Sequence, residues 1–147
     1  MLWAPQWRAD QKDVAAREEA AASGLGGFLT GSGCFAAAEL RRASSLGPAA
    51  VAAETAASGA RFDTVVAIGV RELGPVVKLL SSAALVEGGT EAVLQVSTWA
   101  PPSASPAREF TVHWRHGGPG VVKGVASLPE DMRAALRAGL QPAGSVP

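Results

Sequence analysis

Apolar positions are densest between residues 61 and 99, and their spacing changes twice within that stretch. Val65, Val66, Ile68 and Val70 form a β-branched run without polar alternation, the pattern of a strand buried on both faces. Pro75 suits the first turn of a helix, and Val76, Leu79, Leu80 and Ala83 recur at helical spacing. That pattern predicts a helix over 75–85. Gly88 and Gly89 then turn the chain into a second apolar strand over 92–99. A strand–helix–strand unit of this kind closes as a right-handed parallel crossover. The expected fold class is therefore α/β, a small Rossmann-like and mostly parallel sheet with flanking helices.

The pattern weakens on the N-terminal side and becomes two-faced on the C-terminal side. Residues 1–60 form an Ala/Gly-rich half in which Asp10 can cap a helix over 11–23 and Gly24 can stop it. Val14 and alanines give that helix little to bury, so its docking should be shallow. A second helix is predicted from Cys34 to Leu46, while residues 48–58 are ambiguous: their alanines favour helix, yet Ala50–Ala53 also reads as a short strand. In the half covering 61–140, Phe110, Val112 and Trp114 alternate with Thr111, His113 and Arg115. With 121–126 across the HGGPG turn, they predict a C-terminal antiparallel hairpin. Ser127 and Glu130 have capping-box spacing with Pro129 in the first turn, opening a last helix to about Gly139. Residues 141–147 read as a frayed tail, and the whole 147-residue chain as a single domain.

Composition narrows the function classes. The formal net charge is zero, and Arg41-Arg42 is the only adjacent basic pair, which argues against nucleic acid as a partner. No apolar run approaches the roughly 18–20 residues of a membrane span, so no membrane association is expected. The N-terminus does not read as a secretory signal, and the acids at 10, 13, 18 and 19 weaken a transit-peptide reading. A single cysteine mildly favours a reducing compartment, and a cytoplasmic location is expected.

Four features invite a chemical reading. The TGSGC run at 30–34 has the glycines of a phosphate-cradling loop, but Ser32 stands where a Walker lysine belongs. Cys34 is a candidate nucleophile only if His113 or His116 reaches it, and a buried, inert thiol is the simpler expectation. The two histidines make a poor metal set, and none is expected. Asp63 and Glu72 lie near predicted strand ends, where α/β folds place ligands.

TGSGC, Glu54 about 20 residues on, RFDTVVAIGV and LVEGGTEAVLQV together resemble the S-adenosylmethionine-dependent methyltransferase fold. The match is carried mainly by 61–99. The resemblance implies that Gly31, Gly33 and Glu54 hold the cofactor, with Asp63 or Glu72 near the transfer site. However, no hydrophobic strand leads into the glycine loop. The segment between Glu54 and Phe62 is also too short for the usual helix and strand. A methyltransferase-like half with a worn cofactor loop is similar to the N-terminal domain of anamorsin, an iron–sulfur assembly factor. That likeness implies a non-catalytic interaction module, an adaptor or assembly-factor subunit, with a protein partner and no cofactor. The alternatives are a small methyltransferase binding S-adenosylmethionine, and an α+β small-ligand-binding domain in which 75–85 is not a crossover helix.

Overall fold

The computed structural model describes residues 1–80, 85–121 and 123–141. In chain order the elements are β1 (Leu2–Pro5), α1 (Val14–Gly31), β2 (Arg41–Arg42), α2 (Pro48–Ser58), β3 (Val65–Leu80), β4 (Leu85–Trp99), β5 (Arg108–Pro119) and α3 (Leu128–Leu140). A short 3-10 turn, Val125–Ser127, leads into α3. The strands form one sheet in the order β2-β1-β3-β4-β5. The chain is thus α/β as expected, and its sheet is mixed. β1 pairs parallel with β2 and with β3, whereas β3, β4 and β5 pair antiparallel.

The parallel crossovers exist, but in residues 1–70 rather than 61–99. The path β1–α1–β2 steps one way across the sheet, and β2–α2–β3 steps back over β1. Right-handed returns in opposite directions require helices on opposite faces. Accordingly, α1 packs over Ile68 and Val70 in one core, and α2 puts Val51 with Val65 and Ala67 in another. Successive residues of β3 face opposite ways, so one β-branched run serves both layers.

The helix expected over 75–85 is absent from the described part of that range. Residues 75–80 continue β3, and residues 81–84 lie outside the described residues. Val65 stands opposite Trp99 and Leu80 opposite Leu85, so the two apolar runs are arms of one long antiparallel hairpin. Pro75 is tolerated because the β1 ladder ends at Val70. Beyond that point no strand among the described residues lies on the side of β3 away from β4, and a missing N–H there breaks no ladder.

Three further expectations change. The first helix does not stop at Gly24 but runs to Gly31, and its docking is deep: Ala20, Ala21, Leu25 and Phe28 are buried against Leu128, Met132, Ala135 and Leu136 of α3. A Cβ on Gly24 would lie 2.5 Å from Met132 Cβ and 2.8 Å from the Pro129 carbonyl. Glycine is thus the condition for the helix crossing. Residues 33–40 are not helical; they carry the chain back to the sheet edge at β2. Finally, β5 pairs with β4, and none of the described residues of 121–126 is in a strand; its alternation holds, with Val112 inward and Thr111 and His113 outward. Val122 lies outside the described residues.

Residues 48–58 resolve as helix, with Pro48 in the first turn. The last helix forms as expected, again with proline in its first turn. Ser127 makes no capping bond; its hydroxyl instead donates to Asp131. Among the described residues, no helix is long and apolar enough to cross a membrane.

Candidate functional site

In a parallel α/β unit, ligands settle beyond the carboxyl ends of the strands, where the connections diverge to opposite faces. Here that point lies between β1 and β3, just past Pro5 and Val70. An open cleft of about 410 Å³ occupies it, lined by Gln6, Trp7, Arg8, Arg71, Glu72 and Val93. The register of β3 against β4 shifts between Val70 and Glu72. Such a bulge re-aims side chains at a strand end. Arg8 Nε lies 3.1 Å from Glu72 Oε1 across the cleft. Trp7 Nε1 donates to Glu18 Oε1 at 3.2 Å, and Arg42 Nη2 donates to Glu18 Oε2 at 2.9 Å. One α1 carboxylate thereby ties the segment after β1 to β2.

Beside the cleft lies a buried cation. Arg17 of α1, 9% exposed, donates from Nη1 to the Leu73 carbonyl at 2.6 Å and from Nε to the Lys12 carbonyl at 2.8 Å. Its guanidinium fills the space a side chain at Gly74 would need. The lining supplies donors, one carboxylate and an indole ring. That set suits recognition of a polar or anionic group by charge and hydrogen bonding.

The sequence-predicted residues are dispersed. Gly31 is the last residue of α1, and Gly33 and Cys34 follow it in an exposed, non-helical segment. The TGSGC run therefore sits at the carboxyl end of a helix. The carboxyl end of α3 adjoins it, with Gln141 Nε2 donating to the Ser32 carbonyl at 3.2 Å. Asp63 is exposed in the connection before β3 and borders, with Cys34 and Phe35, an open concavity of about 680 Å³. Glu54 lies within α2, where its Oε2 is 3.1 Å from Arg41 Nε. Hydrogen bonds from Arg41 to Glu54, and then to Glu39, raise the guanidinium pKa above its ordinary value. Asp63 precedes β3, and Glu72 lies seven residues beyond its first residue, Val65, so roughly 23 Å of strand at ~3.3 Å per residue stands between them. They cannot serve one site.

Cys34 is exposed rather than buried. His113 lies on the outer face of β5, and His116 stacks on Trp114 with centroids 5.9 Å apart. Among the described residues, no group of three His, Cys, Asp or Glu side chains is placed to hold a metal ion.

The most developed polar cluster went unmarked in the sequence. Asp131, in the first turn of α3, accepts hydrogen bonds from Thr90 Oγ1 at 2.6 Å, Ser127 Oγ at 2.8 Å and Lys123 Nζ at 2.9 Å. Burial pushes its carboxyl up, but these three donors and the Lys123 charge outweigh it and hold the pKa below 3.8. The cluster joins β4 to α3. The available signal was Ser127 followed four residues later by an acid, one helical turn on. Gln6, Arg8 and Arg71 were also missed; the signal was the apolar LWAP run that ends at Pro5, just before Gln6.

No protein-family model matches the chain, and no curated protein is significantly similar to it.

Proposed function

We propose that this protein is a non-catalytic interaction module, an adaptor or assembly-factor subunit that works through a protein partner in the cytoplasm and binds no cofactor of its own. The polarity of the glycine segment carries the reading. A cofactor-cradling loop works because the helix after it points free N–H groups and the positive end of its dipole at the anionic ligand. TGSGC instead follows a helix, and a second helix ends beside it. Carbonyl groups and the negative ends of two dipoles face that region, so the N–H cradle that would hold a cofactor's carboxylate or phosphate is missing there. Glu54, which the methyltransferase resemblance assigns to the cofactor, is already engaged by Arg41.

The parallel β2-β1-β3 portion, with helices on opposite faces, supports a worn methyltransferase-like ancestry. A role beside an iron–sulfur assembly machinery follows from the resemblance to anamorsin alone. The test is thermal unfolding with and without S-adenosylmethionine. A ligand at about 100 times its Kd adds about 2.7 kcal/mol to folding stability. No shift at saturating cofactor is expected; a clear shift abolished by Glu54→Ala would overturn the proposal. A second reading, a small-ligand-binding domain, is favoured by the cleft of Gln6, Arg8, Arg71 and Glu72. Stabilisation by small carboxylates or phosphates that is lost in Arg71→Ala would select it.

A further inference from the structure

We propose that the outer edge of β5 pairs antiparallel with the same edge of a second copy of this chain, about a two-fold axis at Val112. The proposal deepens the interaction-module reading by naming a partner, and it rests on that reading.

The two edges of the sheet differ greatly. β2 ends one side with two residues, whereas β5 ends the other with twelve, and no strand among the described residues pairs with its outer side. A long edge of unpaired N–H and C=O groups is a template for another strand, unless charges or bulges blunt it. β5 carries charges, so their positions decide whether they block pairing or select a register.

Two copies related by a two-fold axis perpendicular to the sheet keep their helices on the same face. Residues directly opposite then sum to an even number. Centred on Val112, the register sets Glu109 opposite Arg115 twice, Phe110 opposite Trp114 twice, Thr111 opposite His113 twice, and Val112 opposite itself. Opposite charges and aromatic pairs in directly facing positions stabilise antiparallel strands. Moving the axis to Thr111 sets Glu109 against His113 and Arg108 against Trp114. Moving it to His113 sets Arg115 against Thr111 and Glu109 against Gly117. Of these three, only the Val112 register pairs Glu109 with Arg115; it leaves Arg108 opposite His116 at the ends.

The two faces of the strand agree with it. Glu109, Thr111, His113 and Arg115 lie on the exposed face, where an ion pair stays hydrated. Phe110 and Trp114 lie on the helix side as half-buried aromatics at the rim of the core. A second copy would extend that rim. Arg115 faces Glu91 of β4 on its inner side, so the proposed dimer places it between two carboxylates.

The test is the mass in solution of the full chain, by light scattering and sedimentation, with circular dichroism to confirm folding. The wild type is expected at twice the chain mass of 14.9 kDa. Glu109→Arg alone and Arg115→Glu alone each set like charges opposite across the axis, and each is expected at the single-chain mass. Mixed in equal amounts, the two variants restore opposite charges at both positions, and the doubled mass is expected to return. A wild type that stays monomeric at high concentration would overturn the proposal and assign these charges a blocking role. So would a dimer indifferent to both substitutions, or variants that fail to re-associate when mixed. A thermal shift with S-adenosylmethionine would remove the interaction-module reading without changing these masses, so either can fail alone.

Discussion

Removing the Asp131 carboxylate should loosen the junction between β4 and α3, because three donors converge on it in a buried setting. In Asp131→Ala, Lys123, with 17% side-chain exposure, can turn to solvent, and Ser127 keeps the Gly124 carbonyl as an acceptor. Thr90 has no such recourse: it is fully buried and its hydroxyl loses its partner. An orphaned buried hydroxyl costs about 1–2 kcal/mol, and the lost charge-assisted bonds contribute a similar amount. The expected destabilisation is about 3 kcal/mol, measured by urea unfolding at neutral pH. Thr90→Val in that background removes the orphan, so the double variant should be no less stable than Asp131→Ala. The coupling in the cycle should be about 1–2 kcal/mol. The pH dependence has a definite sign. The folded pKa lies below the unfolded value of 3.8, so the contribution is complete above that value. It is lost as pH falls through the folded pKa, because the protonated carboxyl no longer attracts its donors as strongly. Asp131→Asn should lack this acid-side loss. Additivity of the two substitutions to within about 0.5 kcal/mol, or an acid limb unchanged in Asp131→Asn, would refute the assignment.

Gly24→Ala sets a helix-propensity gain of about 1 kcal/mol against a methyl group forced into Met132 and the Pro129 carbonyl. Overpacking of that kind costs about 1–3 kcal/mol, and because a backbone carbonyl cannot swing away, a lower Tm is expected. A raised Tm would show that α1 and α3 do not cross there. Cys34, being exposed, should react with a thiol reagent in the folded chain within about tenfold of its rate in urea. Reaction seen only after unfolding would contradict its placement.

Where a residue's role is set by near neighbours along the chain, it was legible. The β-branched run at 65–70, the alternation at 110–114 and the proline-opened helix at 128 follow from local steric preference and periodicity, and all three stand. The stretch VVKLL at 76–80 was not legible, since apolar residues at that spacing suit a helix and a doubly apolar strand equally. Only the partner across the hairpin decides between them. The extent of α1 was hidden for the opposite reason. Its buried face sets Ala20, Ala21 and Gly24 beside Leu25 and Phe28, and the small residues look inert until Met132 and Leu136 press against the helix. The candidate site was less legible than the fold. Glycine motifs report loop freedom but not which helix end they adjoin, and that end decides the sign of the field on a ligand.

By itself, therefore, the sequence determined the α/β class, the central β3 segment and the final helix, because steric preference and periodicity act within a few residues. Tertiary structure decided that residues 61–99 are a hairpin and that the parallel crossovers lie upstream of it. It also decided that Asp131 is buried among donors, and that Glu72 shares a cleft with Arg8 while Asp63 lies apart from it, before β3 begins. These depend on which distant segments meet, and pairing, burial and field direction are properties of the contact rather than of either segment alone.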